Sequence, residues 1–340
     1  MNIRIKKFED FIFEGGWASK LTQSSTIKPS VIVKAEDFIV KFLEDFNSSR
    51  DYELVPMTPV GSGINYKKDL EETPEKTYGD IDYLVKIVNL EESRENLHRC
   101  NLDIIDFIRE KKPNSIALED TLRESNKSSI KLIVQIEGNY YQIDLILAFE
   151  SYAEWTAGRL SPAEGYKGFV SGSLYSSLGK ILKMSISETG VKAKTESGNP
   201  VDFQKRSGVV EEIVSRNYRN MFENIIEYFA KRDGMKHLKF SGYKPLDNRK
   251  LTLEILCYNI KRLFDDLEET GTFAKWPQYG IKDAEDGISQ LVKDYEERID
   301  RTLSSTKFDK AESESALASL KKAKMQGEAA KLEVRKFLVD

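Results

Sequence analysis

Apolar residues recur at helical spacing over 30–47, where Val31, Ala35, Phe38, Ile39, Phe42 and Phe46 line one face before Asn47, Ser48 and Ser49 end the run. An extended stretch from Tyr52 to Val60 follows, carries two prolines, and stops at Gly61-Ser62-Gly63. Residues 64–77 are polar and read as a surface loop or a short hairpin. The run Asp80-Ile81-Asp82-Tyr83-Leu84-Val85-Lys86-Ile87-Val88 predicts a strand, and 90–111 a helix with Leu97, Ile104, Ile105, Phe107 and Ile108 as its apolar positions. Two β-branched and aromatic runs, Ile130–Ile136 and Tyr140–Ala148, flank Glu137-Gly138-Asn139 and predict a hairpin.

Gly, Ser, Pro and aromatic residues cluster over 150–172, and a domain boundary is expected there. Beyond it, 173–184, 208–231, 250–270 and 283–303 read mainly as helices, with a short hairpin around 184–195. Residues 308–337 are rich in Ala, Lys and Glu with sparse apolar positions, the pattern of a weakly docked helix, a partner-binding helix or a frayed tail. The expected organisation is an N-terminal extension (1–29), a first domain (30–155), a mainly helical domain (156–305) and a charged helical tail (306–340). No internal repeat is evident.

Composition narrows the chemistry. The 340 residues carry 52 Lys+Arg against 56 Asp+Glu, a formal net charge of −4, which argues against nucleic-acid binding through overall positive charge but not against a local basic patch. Cys100 and Cys257 are too few and too far apart for a disulfide framework or a zinc site, and they read as buried small hydrophobes in a reducing cytoplasm. His98 and His237, the two histidines, sit in charged surroundings and exclude a His-rich metal cluster. No run of 18 apolar residues predicts a membrane span, and MNIRIKKFEDFIFEGG lacks a signal-peptide apolar core. Carboxylates, hydroxyls and lysines remain.

Three acids stand out by their setting. Asp80 and Asp82 are two apart on a strand and project from one face, while the intervening and following residues are apolar. Asp144 sits within Ile143-Asp144-Leu145-Ile146-Leu147, again a lone acid in an apolar strand. The plainer alternatives are turn hydrogen bonds for the first pair and an edge-strand salt bridge for Asp144. If the two strands are neighbours, three carboxylates converge, and such a group is expensive unless cations neutralise it. An all-oxygen donor set suits Mg²⁺ or Mn²⁺. Gly61-Ser62-Gly63 adds a turn whose backbone N–H groups and hydroxyl can approach phosphate oxygens.

In that order the motifs resemble the polymerase-β-like nucleotidyltransferase superfamily, whose pattern is an hG[GS] turn, hDh[DE]h on a strand and h[DE]h on a later strand. The matching residues are Val60-Gly61-Ser62, Gly79-Asp80-Ile81-Asp82-Tyr83 and Ile143-Asp144-Leu145, within a resemblance covering roughly residues 30–150. It implies an α+β fold, a nucleotidyltransferase-type mixed sheet flanked by helices, with the mainly helical C-terminal domain appended. It further implies Asp80, Asp82 and Asp144 as catalytic metal ligands, Asp144 helping to deprotonate the acceptor hydroxyl, and Gly61 and Ser62 against the triphosphate. The gap from Ser62 to Asp80 exceeds the family's usual spacing, so 64–77 is expected as an insertion over the site. A basic residue on the first helix after the catalytic domain, common in related enzymes, is matched to Lys167, with Ser171 and Ser173, in Tyr166–Leu174; an ordinary helix cap is the alternative for each. The layout and the stretch Glu14–Gln23 also look like uncharacterised tailed-phage proteins, which implies a host-cytoplasmic location.

The function expected is NMP transfer from an NTP such as ATP to a hydroxyl on RNA, protein or a small molecule, with Mg²⁺ or Mn²⁺ as cofactor and pyrophosphate released. The alternative is a non-catalytic nucleotide- or nucleic-acid-binding module of the same fold. Lys231, Arg232, Lys236, His237, Lys239, Lys244, Arg249 and Lys250, interleaved with Phe240 and Tyr243, form a segment suited to a nucleic-acid backbone and its bases, or simply a solvated face. Trp155, beside Arg159, offers a ring for a nucleobase or fills the core.

Overall fold

The computed structural model describes residues 27–126, 129–196, 199–200, 209–235, 240–275, 280–304 and 314–340. Most of the N-terminal extension, including Glu14–Gln23, lies outside them, as do Lys236, His237 and Lys239 of the basic segment and 306–313 of the tail. The chain divides between Ala153 and Glu154 into two compact units.

The first unit begins with α1 (Pro29–Asn47), whose Pro29 stands in the first turn, where its missing N–H costs nothing. Val31, Ile32, Ala35, Ile39, Phe42, Leu43 and Phe46 are buried on one face. The polar stripe opposite is what makes this a surface helix. A sheet follows in the order β1-β2-β4-β3, built from β1 (Glu53–Pro59), β2 (Ile81–Val88), β3 (Ile130–Ile136) and β4 (Asn139–Phe149). The β1–β2 and β3–β4 pairs are antiparallel and β2–β4 is parallel, so the sheet is mixed. Prolines 56 and 59 are tolerated because β1 is an edge strand, and its register shifts between Pro56 and Thr58. The other edge, β3, is covered: Ala117 N donates to Ile133 O and Gln135 N to Ser115 O.

α3 (Arg94–Lys111) starts at Ser93, whose side chain accepts from Asn96 N at 3.0 Å, and buries Cys100, Ile104, Phe107 and Ile108. Phe107 meets Phe42 and Phe46 edge-on, with ring centroids 5.6 and 5.4 Å away, so α1 and α3 share one core. A short α4 (Leu118–Glu124) lies beside β3, its Thr121 hydroxyl accepting from Ile133 N.

Residues 64–77 are not a loop or a hairpin throughout. They contain α2 (Tyr66–Glu72), which packs on α1 through the Tyr66 hydroxyl donating to Glu36. Buried Asp69 accepts from the Tyr78 hydroxyl and from Lys76 Nζ, folding the chain back toward β2. The polar composition that suggests a loop serves these internal bonds.

The second unit is mainly helical: α5 (Ala153–Arg159), α6 (Gly168–Ile181), α7 (Met221–Arg232), α8 (Leu253–Glu269), α9 (Thr272–Lys275), α10 (Ala284–Leu303) and α11 (Glu314–Leu338). α10 packs against α6, α8 and α11, and the buried Asp294 of α10 accepts from Ser177 Oγ at 2.8 Å, Arg298 Nε at 2.6 Å and Lys180. The hairpin expected around 184–195 is β5 (Met184–Ser187) with β6 (Gly190–Glu196). The helix expected over 208–231 is instead β8 (Val210–Ser215) followed by α7. β8 pairs with β6, as does β7 (Asn199–Pro200), so sheet pairing overrides the local pattern. The 308–337 stretch is helical over α11, whose Ala323, Ala330, Val334 and Leu338 are buried.

Candidate metal centre

β2 and β4 run in parallel register with Asp82 beside Asp144. Each strand alternates, sending Tyr83, Val85 and Ile87, or Ile143 and Leu145, into the apolar layer while the acids take the opposite face. Asp80, one residue before β2, shares that face with Asp82 and is only 8% exposed. One carboxylate oxygen from each of Asp80, Asp82 and Asp144 lies within 4.8 Å of the others. The two strands are therefore neighbours, and the acids meet.

Burial, followed by the charges of Asp80 and Asp144, raises the Asp82 carboxyl well above the ordinary carboxylate range, and Lys131 opposes that rise. Packed like charges favour either a proton or a cation. The donor set is oxygen only, which fits a hard divalent ion such as Mg²⁺ or Mn²⁺.

The glycine turn is brought to the same place. Gly61–Gly63 is one 3-10 turn directly after β1, and Val60 N donates to Asp82 O at 2.9 Å. Gly61 has φ +60°, and a Cβ there would stand 2.7 Å from Asp82 Oδ2. The left-handed backbone favours glycine, and a Cβ there would make the Asp82 carboxylate shift. Ser62, next in the turn, is exposed.

Two neighbours of the acids carry no conspicuous sequence signal. Gln142, two residues before Asp144 and on its face, is 3% exposed and donates from Nε2 to Asp144 Oδ1 at 2.6 Å. Lys131 is the direct β3 partner of Asp144.

The remaining candidates lie in the second unit. Lys167 stands at the start of α6 without capping it by its side chain, Ser171 is buried with Oγ donating to Gly168 O at 3.3 Å, and Ser173 is buried. Trp155 is 0% exposed and donates from Nε1 to Ser187 O, which makes it a core residue rather than a platform for a base. Tyr243 likewise belongs to the core: its ring stacks on Phe222 and its hydroxyl donates to Asp266 at 2.7 Å. Within the basic segment Arg232 pairs with Glu212, and Lys244 lies over the Tyr258 ring at 4.4 Å. Cys100 and Cys257 are buried free thiols, and no helix among the described residues is long and apolar enough to cross a membrane.

No family model matches the chain, and no curated protein matches it. Among solved structures it is similar to polymerase beta of Leishmania infantum in a ternary P/T complex, at 13% identity and a TM-score of 0.34, over 49% of this chain and 57% of that one. The match thus spans little more than half the length of that polymerase.

Proposed function

We propose that the first unit is a metal-dependent nucleotidyltransferase centre that moves a nucleoside monophosphate from an NTP to a hydroxyl acceptor and releases pyrophosphate. The observation that carries this reading is the meeting of three carboxylates, from the start of β2, from β2 and from β4, beside a glycine-flanked serine turn. Asp80 and Asp82 would hold both of two divalent ions, Mg²⁺ or Mn²⁺, and Asp144 one of them. When bound, such ions draw charge from the attacking and leaving oxygens.

The protein's own groups do the rest. Gly61 and Ser62 present backbone N–H groups and a hydroxyl to the triphosphate, close to Asp82 because no side chain intervenes. Asp144, which lies beside Asp82 across the parallel pair, would take the proton of the acceptor hydroxyl. The pairing of β2 with β4 sets Asp82 beside Asp144 before any substrate arrives. The acceptor classes consistent with this chemistry are RNA, a protein hydroxyl or a small molecule. All of these groups belong to the first unit, whereas Lys167, Ser171 and Ser173 belong to the second.

A thermal-shift series with each NTP and Mg²⁺ or Mn²⁺ tests the site. Wild-type protein should be stabilised by nucleotide plus metal, and Asp80→Asn/Asp82→Asn should lose that shift. Equal stabilisation of both proteins refutes the carboxylate assignment. Labelled NTPs offered with RNA, protein and small-molecule acceptors should then yield labelled product and pyrophosphate. Stabilisation with no turnover across all acceptors selects the binding module instead.

A further inference from the structure

Resting on the metal-centre reading above, we infer that Gln142 is a positioning residue that holds the Asp144 carboxylate in the orientation a divalent cation requires. Gln142 is 3% exposed, and its direct β3 partner on the same face is the buried Ile133. A buried primary amide is costly unless it is hydrogen-bonded, and a leucine of similar size would pack there without that cost. The amide directs its donor to one atom: Nε2 lies 2.6 Å from Asp144 Oδ1.

Strand alternation explains why this residue is able to do so. Residues 142 and 144 share a face, one pleat apart, while 143 points to the opposite layer. The terminal torsion of an aspartate is broad and roughly two-fold. A donor fixed on Oδ1 narrows it to one rotation. Because the donor is a neutral amide, it orients the carboxylate without cancelling the charge that attracts a cation, which a lysine or arginine at 142 would do. Outer partners of this kind commonly set metal affinity by tenfold to a hundredfold.

Mn²⁺ titration by calorimetry, with the electron paramagnetic resonance spectrum of the bound ion, tests the role on the full chain. Gln142→Leu should bind Mn²⁺ at least tenfold more weakly and change the bound-ion spectrum, while the metal-free melting temperature is unchanged or higher. Gln142→His, which restores an N–H donor at about the same reach, should recover part of the affinity. Gln142→Met serves as a second apolar variant if circular dichroism shows that leucine perturbs the fold. Mn²⁺ affinity in the apolar variants within twofold of wild type overturns the inference, and so does a loss that histidine fails to recover. Asp82→Asn separates this failure from that of the metal centre. If Asp82→Asn abolishes Mn²⁺ binding and Gln142→Leu does not, only the role of Gln142 falls. If Asp82→Asn binds Mn²⁺ as wild type does, the metal centre falls and this inference with it.

Discussion

Lys131 and Asp144 are direct partners across the β3–β4 pair, which sets an ammonium group on the sheet face that carries three carboxylates. Its field opposes the rise of the Asp82 carboxyl. The same field repels any cation entering the cluster. Lys131→Met should therefore tighten Mn²⁺ binding in the absence of nucleotide by about fivefold at low salt, on the order of 1 kcal/mol for charges separated by partly solvated protein. Calorimetric titration at low and high ionic strength checks it. Unchanged or weaker binding contradicts the prediction.

Gly61 and Gly138 both have positive φ, +60° and +82°, yet only Gly61 has a close neighbour where a Cβ would go. Alanine at either position should cost roughly 1–2 kcal/mol of stability from the left-handed backbone alone. Gly61→Ala should in addition displace the Asp82 carboxylate and weaken Mn²⁺ binding by about tenfold, an outer-contact effect of ordinary size, whereas Gly138→Ala should leave binding intact. Urea unfolding paired with Mn²⁺ titration separates the two effects. Equal metal affinity in both variants counts against the contact.

Asp294 in the second unit provides a pH dependence. Burial acts to raise its carboxyl, but hydrogen bonds from Lys180, Arg298 and Ser177 outweigh it and hold the group below its ordinary value. A carboxylate lowered in the folded state stabilises fully above its unfolded pKa of about 4, and that contribution disappears as pH falls through the folded value. Melting curves should show this component of stability constant from about pH 7 to 5 and lost below about 4. Asp294→Asn should lower stability by about 2 kcal/mol at pH 7, the scale of a disrupted buried ionic network, and flatten the acid limb. An acid limb as steep as that of wild type refutes the assignment.

Phe107 is wedged edge-on between Phe42 and Phe46. Phe107→Ala should cost about 3–5 kcal/mol, through lost burial and the cavity left between α1 and α3. Denaturant unfolding measures it, and a loss below about 1 kcal/mol would mean that this contact is not central to the core.

Elements with strong periodicity are legible in the amino-acid pattern alone. α1, β2 and the β3–β4 hairpin lie within a few residues of the patterned runs, because burial on one face is what each pattern encodes. The three acids are legible too, since isolated carboxylates in apolar strands are conspicuous. Gln142 and Lys131 are not. The pattern of the hairpin suggests Glu137-Gly138-Asn139 as its turn, but Ile136 pairs with Asn139, and the turn has only Glu137 and Gly138, both at positive φ. One residue of slip exchanges faces. Only the observed register sets Lys131 against Asp144. β8 is hidden for a different reason: Val210 and Ile213 remain exposed, so no alternating pattern marks it.

The parallel pairing of β2 with β4 also bears on how the centre comes into being. The hairpin that carries Asp144 can form locally, but β2 joins it only after a loop on the order of 40 residues, containing α3 and α4, has closed. Nothing shorter than that closure places Asp82 beside Asp144. The closure also brings like charges together, so the step that completes the sheet is opposed by the groups it assembles. A cation that binds only the assembled cluster would draw the chain toward closure by mass action. Metal concentration would then govern the rate or extent of folding of the first unit, and the ion would act as a late folding partner as well as a cofactor.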